Sequence, residues 1–345
     1  MTRYLGGLIT KDESLVIPAN NFENTSAPGV WTLEEAQMLA KQGLWPTAGV
    51  TLQRAVFAGG VFNATVTIDY VDITTTGNAI DFGDLTSARG YCAGCASATR
   101  GVAGMGLTSG FGTSGSDFID YITIATTGNG TDFGNLTVSR NNGGACNNTT
   151  RGVFMCGRPD TGNTGNVTMD YITIASTGDA TDFGDATTAF FACAGTSSST
   201  RGVFGAGYAT LINLDYITIA SAGNGTDFGD LSFDSRYGPG AFSNGTRGVF
   251  GGGTDDGVGK SDVIDYITIA STGNATDFGD LTQARETTGA SSSTRGIFGG
   301  GLASGRVNTM DYVTIASTGN ATDFGDLTEA RDGIAGISNV NGGLQ

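Results

Sequence analysis

The sequence predicts an all-β fold: a six-bladed β-propeller preceded by a short N-terminal extension containing one helix. Three observations carry this. One run of residues recurs six times, its apolar positions alternate with period two, and most of the chain's 58 glycines fall within it, many at fixed places. The opening arginine of each copy is Arg54, Arg100, Arg151, Arg201, Arg247 and Arg295, at spacings of 46, 51, 50, 46 and 48 residues. An Asp-Tyr pair follows in every copy, from Asp69-Tyr70 to Asp311-Tyr312. A period in this range marks stacked supersecondary units, none of which buries its apolar face alone.

Residues 1–50 stand apart from the repeat. Thr32-Leu33-Glu34-Glu35 is a capping box, with Glu35 three residues after Thr32, and predicts a helix through Gln42 that Gly43 terminates. The chain's two tryptophans, Trp31 and Trp45, bracket it. One short helix cannot form a core of its own, so it packs on the propeller or on a partner. Trp31, Leu33, Met38, Leu39 and Trp45 are the candidate docking residues.

Residues 51–345 are the propeller. The fifth copy reads TRGVFGGG, a loop, then IDYITIASTGNATDFGDLTQAR. RGVFGGG is an apolar run closed by glycines and too short for a stable helix. IDYITIA alternates β-branched and aromatic residues as a half-buried strand does. TGNA is a turn, because glycine and asparagine tolerate positive φ. TDFGDL is the next strand, and ETTGASSST (286–294) the last, with GYCAGCASAT and FACAGTSSST as counterparts. Its small residues suit the crowded axis, where Leu or Phe would overfill the space. Phe57, Phe154, Phe204, Phe250 and Phe298, with Phe82, Phe133, Phe183, Phe228, Phe278 and Phe324, recur where sheets pack face to face.

This order of a small-residue strand, VFGG, a DYITI-like strand and an aromatic followed by L-x-x-A-R resembles the kelch repeat. Phe278 stands where the usual tryptophan would be. The resemblance implies a propeller and says little about activity. The chain enters at the second strand of blade one, Arg54–Gly60, and leaves at a lone first strand, Arg331–Ser338. That strand is expected to complete blade one, closing the ring and removing open edges; donation to a neighbouring copy in a ring or filament is the alternative.

The formal net charge is -16, with no histidine and three lysines, which argues against a nucleic-acid partner. The repeat itself supplies 17 of the 33 acidic residues, so about half of them belong to the scaffold. No run is apolar enough for a signal peptide or a bilayer span, and no membrane insertion is expected. Without histidine, neither a Ser-His-acid triad nor a histidine-ligated metal centre can be built. Asp277, Asp280 and Arg247, with Arg285-type residues, are expected to form a repeated charge network rather than an active site, and the protein is expected to be no enzyme. Cys92 and Cys95 form a CxxC but lack partners for zinc, and all five cysteines fall at small-residue positions as buried thiols. No cofactor is expected; a structural calcium ion at Thr254-Asp255-Asp256-Gly257 is the alternative.

The loops between VFGG and DYITI break the repeat most and emerge on one face. Binding on a repeated frame usually sits in such loops, which singles out Phe111, Asp160, Tyr208, Asp255 and Asp256.

The stretch SAPGVWTLEEAQMLAKQGLWP (26–46) resembles a G-x-W-[ST]-L-E-E…G-x-W-P segment of virion proteins of tailed phages, particularly marine and cyanobacterial ones; GGLIT near the start and the DYITIAS…TDFGDL repeats are similar to theirs. The resemblance implies a structural protein of the virion, in the tail or its fibres, made in the host cytoplasm and released by lysis. Its partners would be other virion proteins and a host surface glycan or receptor, within an oligomeric assembly. A capsid decoration, a filament subunit or a soluble carbohydrate-binding propeller are the alternatives.

Overall fold

The computed structural model describes residues 53–61, 65–108, 115–159, 164–208, 211–232, 236–255 and 258–339. The helix expected over 32–42 and its docking residues lie outside these. The chain divides after Leu52, and the propeller occupies the unit Gln53–Gln345. Among the described residues every regular element is a strand, and six antiparallel sheets form a six-bladed β-propeller. In blade five the inner strand is Gly240–Ser243, followed outward by Arg247–Gly251, Val263–Thr268 and Thr276–Asp280. The final strand, Ala335–Ser338, pairs antiparallel with Arg54–Ala58 and becomes the inner strand of blade one. The ring therefore closes within the chain. Arg54 N donates to Asn339 Oδ1 at 2.8 Å beside this seam.

The inner strands are mostly small residues because the axis leaves little room, and the exceptions, Phe242 in blade five and Ile337 in blade one, fit by packing between blades. A Cβ on Gly336 would lie 2.1 Å from the Gly289 carbonyl oxygen, and one on Gly195 2.3 Å from that of Ala145. Hydroxyls fit, and they link neighbouring blades. Ser291 Oγ donates to the Ser243 carbonyl (2.7 Å), Ser243 to Ser197 (2.5 Å), and Ser197 to Asn147 (2.8 Å).

Each blade lies between two others, so its apolar residues are buried on both faces. Ile264 and Asp265, adjacent in one strand, are both fully buried, which corrects the half-buried expectation for IDYITIA. The repeated phenylalanines are blade core as expected. In all six blades the outer strand carries one extra residue, the Phe of DFG, opposite the step into the Asp of Asp-Tyr, a β-bulge within the DFG segment.

Three contacts fasten each blade to the next. The opening arginine reaches across to a carbonyl of the following blade: Arg54 Nη1 to Ile124 at 2.8 Å, Arg247 to Ile315 at 2.9 Å, and Arg295 back to Ile73 at 2.9 Å. Each such guanidinium also sits over its own blade's tyrosine, as Arg247 does over Tyr266 at 4.2 Å. The TGN turn binds the outer strand of the preceding blade. Gly128 N donates to Phe82 O (2.8 Å), and Gly130 N to Asp84 O (2.7 Å). Asp84 N donates to Asn129 Oδ1 at 3.1 Å. The glycine of DFG is required there, since a Cβ on Gly83 would meet the Gly128 carbonyl oxygen at 2.5 Å.

The third contact is ionic and corrects the expected network. Asp277 is exposed, and Arg247 is bound to Ile315 and Tyr266 as above. The buried pairs instead join the aspartate of Asp-Tyr to the arginine of L-x-x-A-R. They are Arg89–Asp120 (3.1 Å), Arg140–Asp170 (2.7 Å), Arg285–Asp311 (2.9 Å) and Arg331–Asp69 (2.7 Å). The same aspartates accept from the preceding threonine, as Asp311 does from Thr282 Oγ1 at 2.6 Å and Thr282 N at 3.1 Å.

Blade four departs from this pattern. Phe190 occupies the arginine position, buried against Phe204, and Asp215 keeps only the two bonds from Thr187 in that joint, N at 2.7 Å and Oγ1 at 2.6 Å. Burial pushes its carboxyl above the ordinary value, against the lowering effect of Thr187.

Two predictions follow from the joints. Arg140→Ala leaves Asp170 buried without its cation and is expected to destabilise the chain by roughly 3–5 kcal/mol in equilibrium denaturant unfolding. Asp215 binds its proton more tightly folded than unfolded. Its contribution to stability therefore declines as pH rises from the ordinary carboxyl value through the raised one, then levels. The stability difference between the parent chain and Asp215→Asn, measured by denaturation across that range, is expected to fall with rising pH.

Candidate functional site

The second strands run toward the loop-bearing face and the inner strands start from it, so loops and channel mouth share one face. The mouth is edged by backbone hydrogen bonds passing from blade to blade. Tyr91 N donates to Gly333 O (2.6 Å), Asn142 N to Tyr91 O (3.0 Å), Ala192 N to Asn142 O (2.6 Å), and Gly238 N to Ala192 O (2.8 Å). This edging needs a left-handed backbone, with φ of 56° at Tyr91, 59° at Asn142, 55° at Ala192, 68° at Gly238 and 64° at Gly333. Blades one and five meet the need with glycine. Blade two holds a tyrosine there, at a cost of about 1–2 kcal/mol for an L-residue.

Blade six breaks the edging. Its residue at this position, Glu286, pairs with Leu302 at the start of a longer inner strand, Glu286–Ser291, and Thr287 N makes the bond to Gly238 O instead, at 3.3 Å. Glu286 Oε1 accepts from Lys260 Nζ at 2.5 Å and from Thr254 Oγ1 at 2.8 Å. In blade one, Asp332 is buried and receives Arg306 Nε at 2.5 Å on Oδ1. Its Oδ2 is buried without a hydrogen-bond partner. Burial raises the Asp332 carboxyl, partly offset by Arg306. Burial, reinforced by the charges of Asp332 and Glu286, pushes Tyr91 up to about 12, so its phenol remains a neutral donor. Tyr91, Asn142, Glu286, Thr287 and Asp332 line a cavity of about 110 Å³ at the mouth.

An aromatic cluster flanks the mouth where blades four and five meet. Phe191 and Tyr208 lie with ring centroids 4.9 Å apart and planes 30° apart, and Tyr237 meets Tyr208 at 5.4 Å and 64°. Arg158 sits over Phe191 at 5.9 Å. Tyr208 is 39% exposed.

Of the loop-face residues expected from sequence, Tyr208 joins this cluster. Asp255 lies in a short strand, Thr254–Asp255, paired with Arg236–Tyr237 and Gly259–Lys260. Phe111, Asp160 and Asp256 lie outside the described residues, as do Trp31, Leu33, Met38, Leu39 and Trp45. Tyr91, Phe191, Tyr237, Glu286, Arg306 and Asp332 were not expected. They sit in or beside the connectors read only as blade joints, or in blade six's own loop. A signal existed: Glu286 and Glu329 are the only glutamates of the repeat region, and Lys260 its only lysine.

Cys92 and Cys95 face opposite sides of their strand, one packed toward blade one and the other toward blade three. All five cysteines are buried free thiols, and burial pushes Cys95 up to about 12. Among the described residues no three His, Cys, Asp or Glu side chains gather closely enough to hold a metal ion. No protein-family model matches the chain, and no curated protein matches it.

Tyr91 offers a direct check on this geometry. The difference in phenolate absorbance between the parent chain and Tyr91→Phe during alkaline titration is expected to have its midpoint near pH 12 rather than 10.

Proposed function

We propose that this chain is a non-enzymatic structural protein of a tailed-phage virion, in the tail or its fibres, and that its loop face is the binding surface. The observation that carries the binding role is the asymmetry of the channel mouth. Four joints carry the same buried ion pair, yet the mouth gathers Tyr91, Glu286, Asp332 and an aromatic cluster that is not repeated from blade to blade among the described residues. A scaffold alone has no need of a tyrosine where glycine is easier. The virion location is supported by the resemblance of residues 26–46 and of the repeat to such proteins. In this reading Trp31, Leu33, Met38, Leu39 and Trp45 dock the chain to another virion protein, and the loop face meets the host surface.

Gold-labelled antibody on intact particles is expected to label the tail. A chain lacking residues 1–50 is expected to remain folded but to be lost from particles, measured by quantitative blotting of purified virions. Unchanged incorporation of that truncated chain would overturn the docking assignment, and particles that never label would overturn the virion reading.

A further inference from the structure

We propose that the channel mouth binds a neutral oligosaccharide, with the hydroxyl-bearing edge of one sugar ring in the axial cavity and the next ring on the shelf formed by Tyr208, Phe191 and Tyr237. This deepens the loop-face part of the function proposed above and does not depend on where the propeller is carried. Three features of the site select that chemistry.

Size comes first. A cavity of about 110 Å³ has room for roughly four waters at about 30 Å³ each, which takes the hydroxyl-bearing edge of one sugar ring and is too small for a folded partner. Charge comes second. Glu286 is matched by Lys260 and Asp332 by Arg306, so the site presents acceptors and donors without a net field, although the chain as a whole is strongly acidic. A cationic ligand would meet Lys260 and Arg306, and an anionic one Glu286 and Asp332. A neutral polyhydroxylated ligand meets neither penalty. Polar complementarity comes third. Asp332 Oδ2 is a buried acceptor with no partner, and Tyr91 is a neutral phenol able to donate or accept. Sugar hydroxyls, each both donor and acceptor, supply what these groups lack. Beside them, the exposed face of Tyr208 is held by Phe191 and Tyr237, so the C–H face of a sugar can stack on it with little loss of side-chain freedom.

The test uses the full chain and four neutral probes: maltotriose, lactose, chitobiose and mannobiose, followed by saturation-transfer NMR at millimolar concentration. At least one is expected to receive saturation. Tyr208→Ala, which alters an exposed shelf, is expected to weaken that binding by roughly ten-fold. Glu286→Gln, which keeps the side chain's shape, is expected to weaken it as well. Circular dichroism confirms that both variants are folded. Absence of transfer to all four sugars would overturn the proposal, as would transfer undiminished in both variants. Transfer to choline or inorganic phosphate in place of the sugars would overturn it too. Sugar binding by a chain that never labels particles would remove the virion reading and support this one.

Discussion

The buried aspartate of each Asp-Tyr pair is the point on which the ring depends. It sits opposite the bulged DFG strand, takes two hydrogen bonds from the threonine that ends the preceding blade, as Asp311 does from Thr282, and, at most joints, an arginine from the connector beyond. A carboxylate in so dry a place is tolerable only when its acceptors are filled. One side chain thus fixes where a blade ends, how the connector turns inward and where the next inner strand begins. The TGN turn and the opening arginine then hold the same two blades farther from the axis, so adjacent sheets are pinned at several radii.

Much of this was legible in the sequence because repetition exposes constraint. The strand order, the blade count, the phenylalanine core and the mostly small-residue axis follow from residue size and alternation, and closure by the last strand follows from the open edges it removes. Other features were not legible. Arg247 and Asp277 sit near one end of a blade, but the buried ion pairs form across the joint between blades, as Arg285 and Asp311 do, and no periodicity within a blade announces a contact with the next. TGN reads locally as a turn; its asparagine serves a neighbouring chain segment some 45 residues earlier, as Asn129 does for Asp84. The mouth was harder still. Its residues come from all six blades and converge only once the ring exists, so nothing in their sequence spacing joins Tyr91 to Asp332.

Departures from the repeat are not spread evenly. Phe190 in place of arginine, Tyr91 in place of a left-handed glycine and Glu286 at the start of a lengthened strand all fall on the loop-bearing side of the inner strands or the connectors leading to them. The opposite side, with its serine ladder and TGN turns, stays close to the rule. A frame over-determined by six similar joints can carry such local irregularities, since the neighbouring blades hold the geometry that the irregular residue no longer enforces.

The seam in blade one has a mechanical side. Arg54 and Asn339 meet at the same end of two antiparallel strands, with Ala55 opposite Ser338. Tension applied between the chain's two flanks therefore peels that pair open one rung at a time, instead of shearing all its hydrogen bonds together. Tension through a single flank leaves the seam unloaded. A disc built this way withstands being towed from one side far better than being stretched between two anchors.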